Sequence, residues 1–359
     1  MNFWDNLPQP FFVLAPMEDV TNVVFRHVVA RAARPDVFVS EFTNAASFCS
    51  EKGEHSTRGR MTFTPDEQPI VAQIWGKNPD NFREMARVLA ERGFAGIDIN
   101  MGCPDKKVVK SGGGSVLIEN PELAVELIKA ARCGWQNYQI SFEEALQPVT
   151  TDEARQRCLI CDDRSNSCRV PRMESGNSVI QPPPISVKTR LGYLKVEEWK
   201  PWLTTLLEQN LANLTVHLRT KKEMSKVPAH YELIPEIVAL RDAVAPATKL
   251  TINGDIRNRA HGLDLARQNP GINGLMIGRG VFANPFCFTD KENLTQTELF
   301  NLLNYHLDLF DQYQPRKFDP LKRFFKVYIR DFPGASELRA RLMETKSTAE
   351  AREVLSSLT

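Results

Sequence analysis

The sequence contains no apolar run near the roughly 20 residues that a membrane-spanning helix requires. Residues 1–10 have neither a charged start nor an apolar core of signal-peptide length. The seven cysteines are unevenly spaced, unlike those of a disulfide framework. We therefore predict a cytoplasmic, reduced protein with no membrane partner.

An excess of one charge is also missing, because 45 lysines and arginines nearly balance 44 aspartates and glutamates. The net charge of +1 gives no overall attraction to nucleic acid, so any RNA-binding surface must be local. No Gly-x-Gly-x-x-Gly fingerprint follows a predicted strand, which argues against a separate dinucleotide-binding unit of that kind.

Short apolar runs, which predict strands, alternate with amphipathic segments, which predict helices. The predicted strands are 11–17, 37–42, 69–76, 95–102, 185–191, 214–220, 249–256 and 274–280. The predicted helices between them include 81–92, 121–132, 196–210, 231–244 and 257–268. Eight strands alternating with helices are typical of a closed (β/α)8 TIM barrel. We predict an α/β fold with this barrel over residues 1–290, followed by a small C-terminal helical bundle over 291–359.

The regular alternation breaks once, at a predicted insertion over residues 133–184. The insertion contains Cys158, Cys161 and Cys168, with Cys133 at its edge. Four thiolates suit zinc, but a single C-x-x-C with an irregular third spacing is not a standard zinc knuckle. We predict no metal, with these four cysteines as the alternative site.

Polar residues collect at the C-terminal ends of the predicted strands, where TIM barrels build their active sites. They are Glu41, Gln73, Asn100, Cys103, Lys188, Arg190, His217, Arg219, Asn253, Asp255 and Arg279. Cys103 follows a buried strand and precedes the glycine run 112–114. We interpret it as a reactive thiol, against the alternative of a buried structural cysteine.

Two glycine-containing loops, 253–255 and 278–280, follow the last two strands, where barrels often bind phosphate through backbone N–H groups. Arg279 adds a guanidinium there. Lys188 has two functional interpretations: a Schiff-base nucleophile, or a fixed charge beside an anionic reduced flavin to which Gln73 donates. His217 and Arg219 share a strand face by alternation, which suits an anionic ligand.

Taken in order, these motifs resemble the tRNA-dihydrouridine synthase family of flavin-dependent enzymes. The resemblance rests on Ala15-Pro16-Met17, Asn100-Met101-Gly102-Cys103-Pro104, Gly112-Gly113-Gly114-Ser115, Val187-Lys188-Thr189-Arg190, Val216-His217-Leu218-Arg219-Thr220, Asn253-Gly254-Asp255-Ile256 and Met276-Ile277-Gly278-Arg279-Gly280. Leu218 departs from the pattern, which has glycine at this position, and predicts a narrower space over that strand.

The resemblance implies FMN- and NADPH-dependent reduction of uridine to 5,6-dihydrouridine in tRNA. It makes Cys103 the proton donor and places Asn100 and Arg219 against the substrate. The implied FMN site consists of Pro16, Met17, Glu18, Gln73, Lys188, His217, Asn253, Gly254, Asp255, Gly278 and Arg279. A hydride would pass from flavin N5 to C6 of the base and a proton from Cys103 to C5. The target uridine must be flipped out of the RNA to reach a barrel mouth.

Three alternatives remain open at this point: an FMN-dependent TIM-barrel oxidoreductase acting on a small molecule, an aldolase-type lyase using Lys188, and a non-catalytic RNA-binding barrel. The RNA is predicted to be tRNA, with rRNA as the alternative, and the protein a monomer. Lys322, Lys326 and Arg330 are spaced i, i+4, i+8, which predicts a basic stripe on one helix face. We predict that this stripe binds RNA.

Overall fold

The computed structural model describes residues 2–146, 183–314 and 317–356. Its core is a barrel of parallel strands. These are β1 (Phe11–Leu14), β2 (Phe38–Val39), β3 (Ile70–Trp75), β4 (Gly96–Met101), β5 (Ile185–Arg190), β6 (Asn213–His217), β7 (Lys249–Asn253) and β8 (Gly274–Ile277). Each strand pairs with the next from β2 to β8, β8 pairs with β1, and a bridge between Val13 and Val37 closes the ring. The eight predicted strands and the TIM barrel are therefore confirmed.

Helices surround the barrel and continue at the C-terminus. They are α1 (Val23–Ala33), α2 (Ala45–Phe48), α3 (Gly53–Met61), α4 (Pro79–Glu91), α5 (Lys106–Lys110), α6 (Pro121–Leu146), α7 (Trp199–Leu207), α8 (Ile234–Val244), α9 (Arg259–Gln268), α10 (Gly280–Ala283), α11 (Gln296–Tyr313), α12 (Phe325–Tyr328), α13 (Ala335–Glu344) and α14 (Thr348–Ser356). Short 3-10 helices cover Phe3–Asn6, Pro65–Glu67, Gly114–Glu119, Val196–Glu198, Tyr231–Leu233 and Asp319–Phe324. A two-residue strand, Thr43–Asn44, extends the sheet beside the end of β3.

The helix α4 shows how local sequence sets these elements. The side chain of Asn78 accepts hydrogen bonds from the N–H groups of Asp80 and Asn81, and Pro79 occupies the first turn. Phe82, Met85, Ala86, Leu89 and Ala90 recur at helical spacing and are buried. The helix therefore packs one apolar face against the neighbouring α6.

The helix predicted over 121–132 extends further, to Leu146. Residues 133–146, which we placed at the start of the insertion, thus continue α6, and Cys133 lies on it. The other three cysteines of the alternative zinc site, Cys158, Cys161 and Cys168, lie outside the described residues. Within 2–146, 183–314 and 317–356, no helix combines the length and apolar character needed to cross a membrane.

The barrel interior has an apolar side and a polar side. Phe11, Val13, Val37, Val39 and Val71 form the apolar side, and Trp4 packs against Phe11 at the N-terminal end of the strands.

The polar side lies on β4 to β7. The Asn213 amide donates to Thr215 Oγ1 at 3.1 Å, and Thr251 Oγ1 donates to Asn213 Oδ1 at 2.7 Å. Buried polar groups must be hydrogen-bonded, and these groups satisfy one another. The β4 to β7 side of the interior therefore holds buried polar side chains whose donors and acceptors are paired.

The C-terminal helices pack on α1. The ring of Phe25 in α1 lies 4.8 Å from that of Phe324 and 6.2 Å from that of His306 on α11. His306 Nδ1 is 2.8 Å from the hydroxyl of Tyr328, and both side chains are buried. An aromatic cluster therefore fastens the C-terminal region to the barrel.

The basic residues of the C-terminal region do not form the predicted stripe on one helix. Lys322 belongs to the 3-10 helix Asp319–Phe324, Lys326 to the four-residue α12, and Arg330 follows its end. Lys322 pairs with Asp319 at 2.9 Å, and Arg330 Nε is 3.5 Å from Asp331. The prediction of a single helix was wrong because most apolar side chains from Leu321 to Ile329 turn inward, and packing overrides the helical spacing.

Burial lowers the pKa of His306 to about 3, against about 6.5 in an unfolded chain. Between pH 6.5 and pH 3 the histidine is protonated in the unfolded chain but not in the folded protein. The free energy of unfolding therefore has its full contribution from this group above pH 6.5 and decreases toward pH 3. We expect His306→Gln, which does not titrate, to lose less unfolding free energy than wild type over this window. Urea denaturation across the pH range measures this, and parallel curves for the two proteins would contradict it.

Candidate active site

Strand register places the polar residues of the barrel in layers. Paired residues of neighbouring parallel strands point to the same side of the sheet. Gln73 pairs with Asp98 and Asp98 with Ser186, while Asn100 pairs with Lys188. Nearest the mouth, Arg190 pairs with His217, and His217 with Asn253. The structure therefore brings the predicted residues of five strands together inside one end of the barrel.

A buried chain of hydrogen bonds runs across the first two layers. The amide nitrogen of Gln73 donates to Asp98 Oδ2 at 2.7 Å, and Ser186 Oγ donates to Asp98 Oδ1 at 2.8 Å. Asn100 Nδ2 donates to Gln73 Oε1 at 2.9 Å. Burial raises the pKa of Asp98 to about 6, while the bonds from Gln73 and Ser186 oppose the rise. Asp98 therefore orients Gln73, and Gln73 orients Asn100.

Asn100 in turn holds the loop that carries Cys103. Its Oδ1 accepts the N–H groups of Gly102 at 3.1 Å and Cys103 at 2.9 Å. The predicted substrate residue Asn100 thus has its side chain occupied by the protein itself. It positions the thiol, and its role against substrate stays a prediction.

The glycine run after Cys103 closes against the same loop. The carbonyl of Cys103 accepts the N–H of Ser115 at 3.0 Å. Gly114 has φ +65°, and a Cβ there would lie 2.8 Å from the Cys103 carbonyl oxygen. Only glycine combines this left-handed backbone with so close an approach.

The thiol of Cys103 is half-buried at the strand ends. Burial is the main cause that raises the pKa of this thiol above its usual value. The group is therefore protonated near neutral pH and chemically suited to donate a proton.

Lys188 lies beside Asn100 on the interior face of β5. Burial, aided by the charge of Arg190, lowers the pKa of Lys188 to about 8, while Asp98 opposes the fall. The ammonium group thus remains mostly charged at neutral pH. This pKa is compatible with both interpretations of Lys188, since a lowered lysine pKa is also what a Schiff-base nucleophile requires.

Arg190 joins two loops at the mouth, a role that sequence reasoning missed. Its buried guanidinium donates to Gly102 O at 2.7 Å and to the carbonyls of Thr220 and Met224, both at 3.1 Å. Strand alternation, which puts Arg190 on the same face as Lys188, was the signal available for it. The loop of Cys103 is thus fixed from two sides, by Asn100 and by Arg190.

His217 and Arg219 contact each other as predicted, but not through strand alternation. The strand β6 ends at His217, and a tight turn follows in which the Arg219 N–H donates to His217 O at 2.7 Å. Arg219 Nη1 lies 3.1 Å from His217 Nε2. A guanidinium only donates, so Nε2 accepts and the ring carries its hydrogen on Nδ1. Burial and the surrounding cations keep the pKa of His217 well below its usual value.

Asp255 holds the two predicted anion-binding arginines. Its carboxylate accepts hydrogen bonds from Arg219 and, at 3.0 Å, from Arg279, and also from the Ala229 N–H at 3.1 Å. Arg279 remains 65% exposed. The carboxylate therefore positions guanidinium groups, and its own contact with a ligand stays a prediction.

The two glycine loops leave backbone donors available. Within the described part of the chain, the N–H groups of Gly254, Gly278 and Arg279 donate to no acceptor. A Cβ at Gly278 would have Ala15 Cβ at 3.5 Å and Met17 Sδ at 4.0 Å as its nearest neighbours, so there is room beside this backbone. Free donors with open space fit an anionic group such as a phosphate.

The remaining predicted cofactor residues surround these loops. Pro16 and Met17 are half-buried after β1, and Asn253 donates through Nδ2 to Met276 O at 2.8 Å. Glu18 is exposed and its carboxylate accepts from Arg60 at 2.6 Å. That carboxylate is therefore paired within the protein.

Leu218 does not narrow the site, contrary to our expectation. It is fully buried in the cluster between the strands and the outer helices. The inward positions on either side of it belong to His217 and Arg219, so the leucine faces away from the barrel interior.

Comparison with known proteins was made across the whole chain. Residues 13–140 and 177–359 match the family model described as dihydrouridine synthase (Dus). The chain is 52% identical over 358 residues to the probable tRNA-dihydrouridine synthase 2 of Bacillus subtilis (strain 168), covering 99% of this chain and 95% of that protein. It is 51% identical over 358 residues to a probable tRNA-dihydrouridine synthase of Staphylococcus aureus (strain COL), covering 99% and 94%.

We expect Asn100→Ala to release the Cys103 loop, because the N–H groups of Gly102 and Cys103 lose their shared acceptor. A typical hydrogen bond contributes about 1 kcal/mol, so their amide hydrogen exchange is expected to accelerate roughly fivefold or more. Hydrogen-exchange mass spectrometry of the peptide containing both residues measures this. Asn100→Asp keeps the acceptor and serves as the control; equal exchange in both variants would show that Asn100 does not hold the loop.

Proposed function

Because this chain belongs to the dihydrouridine synthase (Dus) family, we propose that it reduces the C5=C6 bond of uridine in tRNA to give 5,6-dihydrouridine. One observation carries the proposal: a protonated, half-buried thiol, Cys103, is fixed at the strand ends by Asn100. Relatives named as probable tRNA-dihydrouridine synthases, at 51–52% identity over nearly the full chain, support the substrate. We place the protein in the cytoplasm as a monomer.

The residues present fit FMN as the cofactor. The free N–H groups of Gly254, Gly278 and Arg279 would bind its phosphate, together with the exposed guanidinium of Arg279. Lys188 and Gln73 would face the ring, where the second N–H of the Gln73 amide is not used by Asp98. Pro16, Met17, Glu18, His217, Asn253 and Asp255 would complete the site.

When bound by these residues, FMN would supply hydride chemistry for C6 of the base, with NADPH as the proposed reductant. The protein's own part is proton transfer and charge stabilisation. Cys103 Sγ–H donates its proton to C5, which leaves a thiolate that solvent reprotonates. The raised pKa of the thiol suits this step, because an ionised cysteine has no proton to give. The charged Lys188 stabilises negative charge that develops beside it.

The RNA must be held while one uridine is flipped into the barrel mouth. We propose that Lys322, Lys326 and Arg330 in the C-terminal region, residues 291–359, contribute to RNA binding, with Asn100 and Arg219 near the base. Lys326 is exposed and Arg330 is half-buried, while Lys322, which pairs with Asp319, is only 14% exposed. Arginine and lysine side chains bind phosphates, which makes such binding salt-dependent.

We expect Gly278→Ala to weaken FMN binding about tenfold or more without lowering the unfolding temperature. The added methyl group meets no protein atom closer than 3.5 Å, so the fold tolerates it, but the methyl occupies the space beside the proposed phosphate donors. Fluorescence titration of stripped protein with FMN measures the affinity, and thermal unfolding provides the control. Unchanged affinity would place the phosphate elsewhere, and wild-type protein that cannot be loaded with FMN would refute the cofactor.

We expect Cys103→Ala to slow dihydrouridine formation in tRNA by roughly 10²- to 10⁴-fold, the range typical of a removed general acid. Flavin binding and reduction of the flavin by NADPH should be retained, because the thiol takes part in neither. Mass spectrometry of digested tRNA measures the product. The exposed Cys49 supplies the matched control as Cys49→Ala; near-normal product formation by the Cys103 variant would return this residue to a structural role.

A further inference from the structure

Two large apolar side chains are exposed on the loops that follow β5 and β6. Leu194 is 50% exposed and Met224 is 44% exposed. Their loops rise from the C-terminal ends of strands that carry Lys188 and His217. They therefore lie on the rim of the barrel mouth, not on a distant surface.

Backbone hydrogen bonds join the two loops. The Lys221 N–H donates to Gly192 O and the Lys222 N–H to Tyr193 O, both at 2.9 Å. Met224 has φ +54°, a left-handed conformation that a methionine rarely adopts. Its carbonyl is held by Arg190 at 3.1 Å, so the unusual backbone is built into the loop.

The same guanidinium connects this rim to the reactive thiol. Arg190 Nε donates at 2.7 Å to the carbonyl of Gly102, the residue before Cys103. Leu194 and Met224 are thus carried by loops fastened to the Cys103 loop. We call these two side chains the apolar edge.

Lysines flank the apolar edge. Lys195, Lys222 and Lys226 lie in the same two loops, and Lys106, Lys107 and Lys110 lie just after Cys103; all six are exposed. In the ranges that the structure covers, none of the six makes an ion pair.

The acidic neighbours are mostly engaged elsewhere. Glu223 binds His230 and Thr220, Glu198 accepts the N–H groups of residues 193–195, and Asp105 caps α5; Glu197 is exposed. The linked loops therefore expose apolar side chains together with lysines that make no ion pair within the described residues, a combination that matches a polyanion with apolar faces.

We propose that the apolar edge packs against the bases next to the flipped uridine, while the flanking lysines bind the adjoining phosphates. The inference rests on the proposed function, because it concerns which side chains bind the RNA at that same site. Flipping a base exposes the faces of its neighbours, and apolar side chains that cover those faces offset the lost stacking. Single-stranded RNA combines these faces with closely spaced phosphates.

The test compares three variants of the full-length, FMN-loaded protein. Leu194→Ser with Met224→Asn removes the apolar edge, and asparagine keeps the left-handed backbone accessible. Lys222→Ala with Lys226→Ala removes charge only. Met343→Ser, at a methionine 51% exposed on α13, is the control for loss of an exposed apolar side chain.

Binding of unmodified tRNA transcript is measured by fluorescence anisotropy at several salt concentrations. We expect the apolar variant to bind about threefold to tenfold more weakly with an unchanged salt slope. The lysine variant should lower the log–log salt slope by roughly 0.7 to 0.9 for each lost phosphate contact. Met343→Ser should bind like wild type, and all variants should unfold at the wild-type temperature.

Equal tRNA affinity for the apolar variant and Met343→Ser would overturn the inference, as would weaker binding with a changed salt slope in the apolar variant. If wild-type protein forms dihydrouridine but Leu194→Ser with Met224→Asn binds tRNA normally, only the proposed role of the apolar edge is refuted. Wild-type protein that binds tRNA but forms no dihydrouridine would refute the proposed function, and the binding comparison would still decide the edge.

Discussion

The buried carboxyl group of Asp98 is the constraint on which the site depends. A carboxyl group inside a barrel is unfavourable unless donors surround it, and Gln73 and Ser186 supply them. Once Gln73 is oriented by this bond, its carbonyl is presented to Asn100, and Asn100 is left with one oxygen for two backbone N–H groups. The position of a thiol at the mouth is thus set by a polar group two layers deeper in the barrel.

This arrangement requires a barrel of mixed character. An interior filled with branched apolar residues packs well but offers no place for a hydrogen-bonded chain. Here β1, β2 and Val71 of β3 supply the apolar packing. On β4 to β7, Ser186 donates to Asp98 and Thr251 donates to Asn213. At the mouth, the buried guanidinium of Arg190 is likewise hydrogen-bonded, because it donates to backbone carbonyls of two loops.

Much of the fold could be predicted from the sequence, because parallel strands read as short apolar runs and their C-terminal ends converge by geometry. The location of Cys103, Lys188 and His217 at the strand ends was predicted in this way, while their roles stay predictions. The partners of Gln73 and Asp98 could not be predicted, since they depend on register between strands far apart in sequence. The prediction of one basic helix face in the C-terminal region was wrong for another reason. The buried aromatic residues there, such as Phe324, Phe325 and Tyr328, follow no helical period, so the spacing of the basic residues did not indicate how the segment packs.

The helix α1 begins at Val23, is capped by the side chain of Asn22 just after the loop that contains Met17, and carries Phe25 into the aromatic cluster with Phe324 and His306. One rigid element thus contacts both the barrel mouth and the C-terminal helices. Their separation and orientation are therefore settled when the chain folds. A large ligand that touches both regions meets a preorganised surface, and the rotational freedom of one region against the other is not lost again at the moment of association.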